Sequence, residues 1–148
     1  MPALIDFPLA LQHPAIDALR GYLADVAAAV GIGLESCTVD HDTPVSAYLA
    51  LDTRLPRHPD RDLALLWHEE RGWAAAIETH SGEDLIILDH LGGPTVLPPP
   101  HRVARFLDDL RTRGPAGVEP PAIRTAGTHD DLARLLGQWH LPGQPGAA

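Results

Sequence analysis

Residues 62–91 constrain the fold of this 148-residue chain more than any other stretch. The segment reads as three consecutive strands joined by two short turns, because apolar runs alternate there with polar clusters that contain glycine. The first cluster, Glu69-Glu70-Arg71-Gly72, predicts a type I turn closed by a glycine bulge, with Gly72 at positive φ. Strands joined by such turns pair antiparallel, so the segment predicts an antiparallel sheet.

The first turn also predicts a register for the hairpin. It places Trp67 opposite Ala75 and Leu65 opposite Ile77, with Trp73 on the same face as Trp67. A second turn is predicted at residues 80–83. The strand after it, residues 84–88, is apolar on both faces, so alternation does not fix its register. We therefore expect this strand to be covered on both sides or shielded by a helix.

Helical periodicity flanks the strands. A stripe of apolar residues at helical spacing predicts a helix over residues 14–30, and a similar pattern predicts a second one over residues 101–113. Thr128 and Asp131 form a capping box that predicts the start of a third helix. Further strands are predicted at residues 36–40 and 45–53, and residues 115–126 are interpreted as a linker.

This order of elements predicts an α+β fold with an antiparallel sheet of four or five strands, an N-terminal helix and two C-terminal helices. We expect a single domain over residues 1–141 and a disordered tail over residues 142–148.

The charge and composition exclude some classes of function. With 20 acidic and 11 basic residues the formal net charge is −9, and the arginines are scattered rather than clustered along the sequence. Nucleic acids and anionic membranes are recognised by clustered cations, so both are disfavoured as partners. The single cysteine, Cys37, and the lack of a signal-like N-terminus predict a cytoplasmic protein without a membrane span.

Nine histidines raise the question of a metal site. His68 and His90 are the best pair, but they lie at least two strands, roughly 10 Å, apart in the predicted sheet, which is too far for shared ligation. We therefore predict no metal, no cofactor and no catalytic residue. The acidic residues near the strand ends, Glu69, Glu70, Asp89 and Asp52, are interpreted as solvated turn residues.

Five residues are kept as weak candidates for binding a ligand or a partner. Trp67 and Trp73 are interpreted mainly as core residues, with an aromatic binding patch as the alternative. Glu78 lies inside an apolar strand, so it is either exposed, which we favour, or buried beside a basic partner. Tyr48 and His90 complete the set.

The stretch from Asp42 to Leu85 contains four motifs that resemble those of one family: DTPVSAYLALD, RLPRHPDRD, LLWHEERGWA and ETHSGEDL. These motifs are similar to those of small actinobacterial proteins of unknown function. The resemblance implies an actinobacterial origin, which agrees with a basic set made of arginine alone. It implies no activity, cofactor or site residue.

These observations favour a non-enzymatic regulatory or protein-interaction module that binds a protein partner or forms a homodimer through a helix face or a sheet edge. The alternative is a small-molecule binding protein or small enzyme, with a pocket between the sheet and the helices into which Trp67, Trp73 and Glu78 or His90 point. A third hypothesis, an acidic immunity-type protein that binds a basic toxin, rests on size and charge alone.

Overall fold

The computed structural model describes residues 13–79 and 84–139, with the side chain of Trp139 left aside. The predicted turn at residues 80–83 and the predicted tail at residues 142–148 lie outside the described residues. Within them the chain forms one helix, five strands and two more helices, which confirms the expected α+β fold. The elements are α1 (Pro14–Val30), a short 3-10 helix (Leu34–Ser36), β1 (Cys37–Asp40), β2 (Ser46–Ala50), β3 (Leu63–His68), β4 (Gly72–Glu78), β5 (Leu85–His90), α2 (Pro100–Arg113) and α3 (His129–Trp139).

The helices begin and end where short-range chemistry dictates. Pro14 opens α1, where its missing N–H has no helical partner to lose, and Gly31 closes the helix with φ of 86°. The predicted capping box opens α3: Thr128 Oγ1 accepts the N–H of Asp131 at 3.2 Å, and Asp131 Oδ2 accepts the N–H of Thr128 at 3.3 Å. None of the helices among the described residues is both long and apolar enough to cross a membrane.

The five strands pair in chain order, and each is antiparallel to the next. Side chains alternate between the two faces of this sheet. One face carries Leu49, Leu65, Trp67 and Trp73, and it packs with the helices into a single hydrophobic core. The other face, which we call the open face, carries Tyr48, Leu66, His68, Ala74 and Ile87, and no described helix contributes to it.

The hairpin between β3 and β4 differs from its predicted register. Trp67 pairs with Trp73, and Leu65 pairs with Ala75, so the predicted pairs are wrong by two residues. The reason is that Gly72, with φ of 76°, already pairs with His68, which leaves residues 69–71 as the loop. Because the shift is an even number of residues, every side chain keeps its predicted face.

Strand β5 is not covered on both sides, and this expectation is wrong. Among the described residues β5 pairs with β4 alone, so it forms one edge of the sheet. Ile86 lies on the helix side and is 45% exposed, whereas Ile87 lies on the open face and is 48% exposed. A break in register after Ala75 separates this part of β5 from Asp89 and His90, which are buried.

Residues 115–126 have no regular secondary structure, but they are bound tightly to the sheet. Asp89 accepts the N–H groups of Ala116 at 2.7 Å and Val118 at 2.8 Å. The carbonyl of Glu70 accepts the N–H groups of Ile123 and Arg124. The predicted linker is therefore a strap that runs from the end of β5 to the hairpin loop at residues 69–71.

Candidate functional site

The open face of the sheet carries a groove with a volume of about 280 Å³. The small side chain of Ala74 on β4 forms part of its floor. Leu66 on β3 and Ile87 on β5 lie on the strands next to β4, and Tyr48 lies one strand further away on β2. Polar residues rim this apolar groove: Thr38, Asp40 and Ser46 on one side, and His68, Arg71 and His90 on the other.

A hydrogen bond closes the adjoining part of the open face. The Tyr48 hydroxyl donates to Glu78 Oε2 at 2.7 Å. Because β3 separates the strands of these two residues, the bond crosses the sheet, and the register places Ala64 midway between them. Burial, the bond to Glu78 and the negative charges of Glu78 and Asp62 raise the pKa of Tyr48 to about 12. Glu78 is thus half-buried and bonded to a tyrosine, rather than simply exposed as favoured from the sequence.

The two histidines of the groove present different atoms to a ligand. His68 Nδ1 accepts the N–H of Glu70 at 3.0 Å, so the neutral ring carries its proton on Nε2 and can donate there. His90 Nδ1 lies 3.2 Å from the carbonyl oxygen of Val118, which can only accept, so the neutral ring keeps its lone pair on Nε2. Burial lowers the pKa of His68, and the Arg71 guanidinium lowers it further, which favours the neutral ring.

The two tryptophans lie on the opposite face from the groove. Trp67 is 0% exposed, and its indole N–H donates to the Val96 carbonyl at 2.7 Å. Trp73 is 1% exposed and donates to the Tyr22 hydroxyl at 3.1 Å, and that hydroxyl donates to the Pro98 carbonyl at 2.6 Å.

A pocket between sheet and helices that takes in both the tryptophans and Glu78 or His90 is therefore wrong in its geometry. Because side chains alternate along a strand, the two tryptophans lie on the helix side of the sheet, whereas Glu78 and His90 lie on the open face. The tryptophan side chains themselves fill the space on the helix side. Tyr48, Glu78 and His90 share the open face, and whether they bind a ligand stays a prediction.

Two carboxylates interpreted as solvated are in fact buried. Glu69 is 1% exposed; its Oε1 accepts the N–H of Val45 at 2.8 Å, and its Oε2 binds Arg124 at 2.9 Å. Asp89 is 5% exposed and binds the strap. Sequence reasoning misses these contacts because the partners lie 24 to 55 residues away. Both carboxylates are occupied by structural bonds.

The described residues offer no obvious centre for metal or thiol chemistry. Within residues 13–79 and 84–139, no group of three or more His, Cys, Asp and Glu side chains could hold a metal ion. His68 and His90 line the same groove but stand on β3 and β5, with β4 between them. Burial raises the pKa of the Cys37 thiol, and Glu35 raises it further, which reduces its thiolate fraction.

Comparison with known proteins places the chain in a family without assigning it an activity. A model described as a family of unknown function, DUF6292, matches residues 22–109, which is more than half of the chain and includes the whole sheet. No curated protein and no solved structure gives a significant match. The chain therefore belongs to DUF6292, a family of unknown function.

Proposed function

We propose that this protein is a non-enzymatic interaction module whose interaction surface is the free edge of β5. The observation that supports the proposal is the exposure of Ile86 and Ile87, which are about half exposed on opposite faces of an edge strand. Natural proteins protect such edges with charges, prolines or covering segments, because an apolar edge pairs readily with another strand. Here the strap binds the end of β5 at Asp89, and among the described residues no strand pairs with the outer edge of β5 at Ile86 and Ile87.

A second copy of the chain is the partner that we favour. A two-fold axis perpendicular to the sheet would pair the two β5 edges antiparallel and keep equivalent faces on the same side. Residues that face each other across the two β5 strands then lie on the same side of the joined sheet. Ile86 would therefore meet apolar residues on the helix side, and Ile87 would meet apolar residues on the open face. The result would be one continuous sheet with two neighbouring grooves.

The test is the oligomeric state of the purified protein, measured by light scattering after gel filtration over a range of concentrations. Wild type is expected to be a dimer, and Ile86→Glu a monomer with unchanged circular dichroism. Leu34→Glu is the matched control, because Leu34 is 43% exposed in the 3-10 helix, away from β5. A wild-type protein that stays monomeric, or a dimer that survives Ile86→Glu, contradicts self-association through this edge.

The groove on the open face supports a second candidate function, small-molecule binding. Its apolar floor lies beside one donor, His68 Nε2–H, and one acceptor, His90 Nε2, and convergent polar groups in an apolar concavity are typical of ligand sites. A fragment screen followed by amide chemical shifts tests this candidate. Shifts that cluster around Leu66, Ala74 and His90 and disappear in Ala74→Leu support it, whereas scattered or absent shifts contradict it.

A further inference from the structure

A second cavity lies on the other side of β5, between the loop that follows β2 and the C-terminal end of α2. Its volume is about 230 Å³. Apolar atoms of Leu55, Leu88 and Leu110 form part of its lining. The remaining lining contains three arginines, Arg57, Arg111 and Arg113, together with His58.

The charge of this cavity is opposite to that of the protein. Three arginines line it and no Asp or Glu does, although the whole chain carries a formal charge of −9. Asp108 lies outside the lining and binds Arg111 at 3.5 Å. Arg57 and Arg113 form no ion pair within the described residues. Among the described residues, the charges of Arg57 and Arg113 are therefore not neutralised by an ion pair.

The guanidinium group of Arg57 lies close to a glycine at the end of α2. A Cβ added to Gly114 would lie 3.1 Å from Arg57 Nη1 and 3.3 Å from Cζ, a tight contact from which the Arg57 side chain would have to shift by a few tenths of an ångström. Gly114 also has φ of 79°, a conformation that favours glycine. The absence of a side chain at Gly114 thus leaves room for the Arg57 guanidinium against the backbone.

Helix capping explains only part of this cluster. Basic residues in the last turn of a helix interact favourably with its dipole, and this accounts for Arg111 and Arg113. It does not account for Arg57, which comes from the loop after β2 and brings a further positive charge to the same place. Arg57 and Arg113 are exposed and Arg111 is half-buried, so water and salt screen much of their mutual repulsion. An oxyanion in the concave site would be attracted by three guanidinium charges at once.

We propose that this cavity binds a phosphate-type oxyanion carried by a small molecule. The guanidinium groups of Arg57, Arg111 and Arg113 supply fork-shaped donors that match the oxygens of an oxyanion. A phosphate presents more oxygens to these three groups than a carboxylate does, so we expect it to bind better. The apolar side chains at Leu55 and Leu88 provide a surface for the remainder of the molecule. The site adjoins the free edge of β5 at Leu88, but its arginines come from the loop after β2 and from α2.

The experiment is a titration of the full chain at constant ionic strength, with amide chemical shifts and calorimetry as readouts. The probes are inorganic phosphate, glycerol phosphate and acetate. We expect saturable binding of both phosphates, with shifts centred on residues 55–58 and 111–114, and weaker binding of acetate. Tighter binding of glycerol phosphate would identify a phosphate monoester as the ligand class, whereas equal affinity would identify the free anion.

Substitutions then test the geometry. Arg57→Gln is expected to weaken phosphate binding roughly tenfold or more, because a charge-assisted hydrogen bond is lost. Arg57→Lys keeps the charge but not the fork and should give an intermediate affinity. Arg105→Gln is the matched control, since Arg105 is exposed on α2 outside the cavity lining. Absence of saturable phosphate binding in wild type, or equal affinity in Arg57→Gln, would overturn the proposal.

Discussion

The hydroxyl of Tyr48 donates to Glu78 Oε2 at 2.7 Å, and this bond spans β3 on the face of the sheet to which none of the described helices contributes. Ala64 lies midway along the span and Ala76 pairs with it, and both alanines are 0% exposed although no described helix packs on them. Small side chains at these positions let the two long ones lie flat across the sheet. The run Ala74-Ala75-Ala76 is explained on one face by this crossing and on the other by the neighbouring tryptophans.

The Tyr48–Glu78 bond predicts a high-pH titration. The pKa of Tyr48 is raised from 10.0 to about 12, and burial raises the pKa of Tyr22 as well. Tyrosinate absorbance of the folded protein should therefore stay low near pH 10 and rise only well above it, whereas the urea-unfolded chain should titrate near pH 10. A raised pKa of an acid means that stability is lost as the pH rises above the unfolded value.

The substitution Tyr48→Phe tests whether Tyr48 is the tyrosine that titrates near pH 12. It should remove the step near pH 12 and leave the later one of Tyr22, because these are the two tyrosines of the chain. A folded protein that titrates near pH 10 contradicts the burial and bonding of Tyr48.

The buried hydroxyl of Tyr22 predicts that Tyr22→Phe destabilises the protein more than Tyr48→Phe does. Tyr22→Phe leaves the indole N–H of Trp73 and the carbonyl of Pro98 without this partner, and each unsatisfied buried group costs about 1–3 kcal/mol. We expect a loss of about 2 kcal/mol or more in the free energy of unfolding, measured with urea. Tyr48→Phe serves as the control and should cost less, because Glu78 is half-buried and water can replace the hydroxyl. Equal losses would contradict the arrangement.

The Glu69–Arg124 pair predicts that the strap stabilises the fold. Arg124→Ala removes the cation that pairs with the Glu69 carboxylate, which is 1% exposed and keeps its hydrogen bond from the Val45 N–H. Breaking a buried pair costs about 3 kcal/mol, so we expect a loss of that size in the free energy of unfolding. Arg134→Ala is the control, since the side chains of Arg134 and Asp131 are 71% and 43% exposed and solvent-exposed pairs contribute below about 1 kcal/mol. In a double-mutant cycle, Glu69→Gln should recover part of the loss. If Arg124→Ala and Arg134→Ala lower the free energy of unfolding by the same amount, the Glu69–Arg124 pair does not stabilise the fold.

His68 predicts a pH dependence of opposite sign to that of the tyrosines. Its pKa is lower in the fold than the ordinary value of 6.5, so below that value the unfolded chain binds more protons than the folded one. Its contribution to stability is therefore fully present above pH 6.5 and is lost as the pH falls toward the folded pKa. His68→Asn keeps an acceptor for the Glu70 N–H but cannot titrate in this range.

The corresponding measurement compares urea unfolding of wild type and His68→Asn at several pH values. Wild type should lose stability relative to the variant as the pH drops below 6.5. Two parallel stability curves would show that His68 does not titrate differently on folding.

Some features of the protein follow from its sequence alone, because they are local. Pro14 and Gly31 set the ends of α1, Thr128 and Asp131 open α3, and Gly72 closes the hairpin at positive φ. Alternation also fixes the face of each side chain in β2 to β4, including the burial of both tryptophans. These patterns act over a few residues, so the antiparallel α+β fold could be predicted from them.

Other features are decided only by the tertiary structure, because their partners are distant in the chain. The sequence of the β3–β4 hairpin gives no sign that Glu69 is buried and paired with Arg124. The residues around Tyr48 likewise do not indicate that its hydroxyl reaches across β3 to Glu78. The sequence also does not tell that all the described helices pack on one face of the sheet, or that β5 ends the described sheet with two exposed isoleucines. Burial and charge pairing depend on which segments meet in space, and here that decides where a partner or an anion can bind.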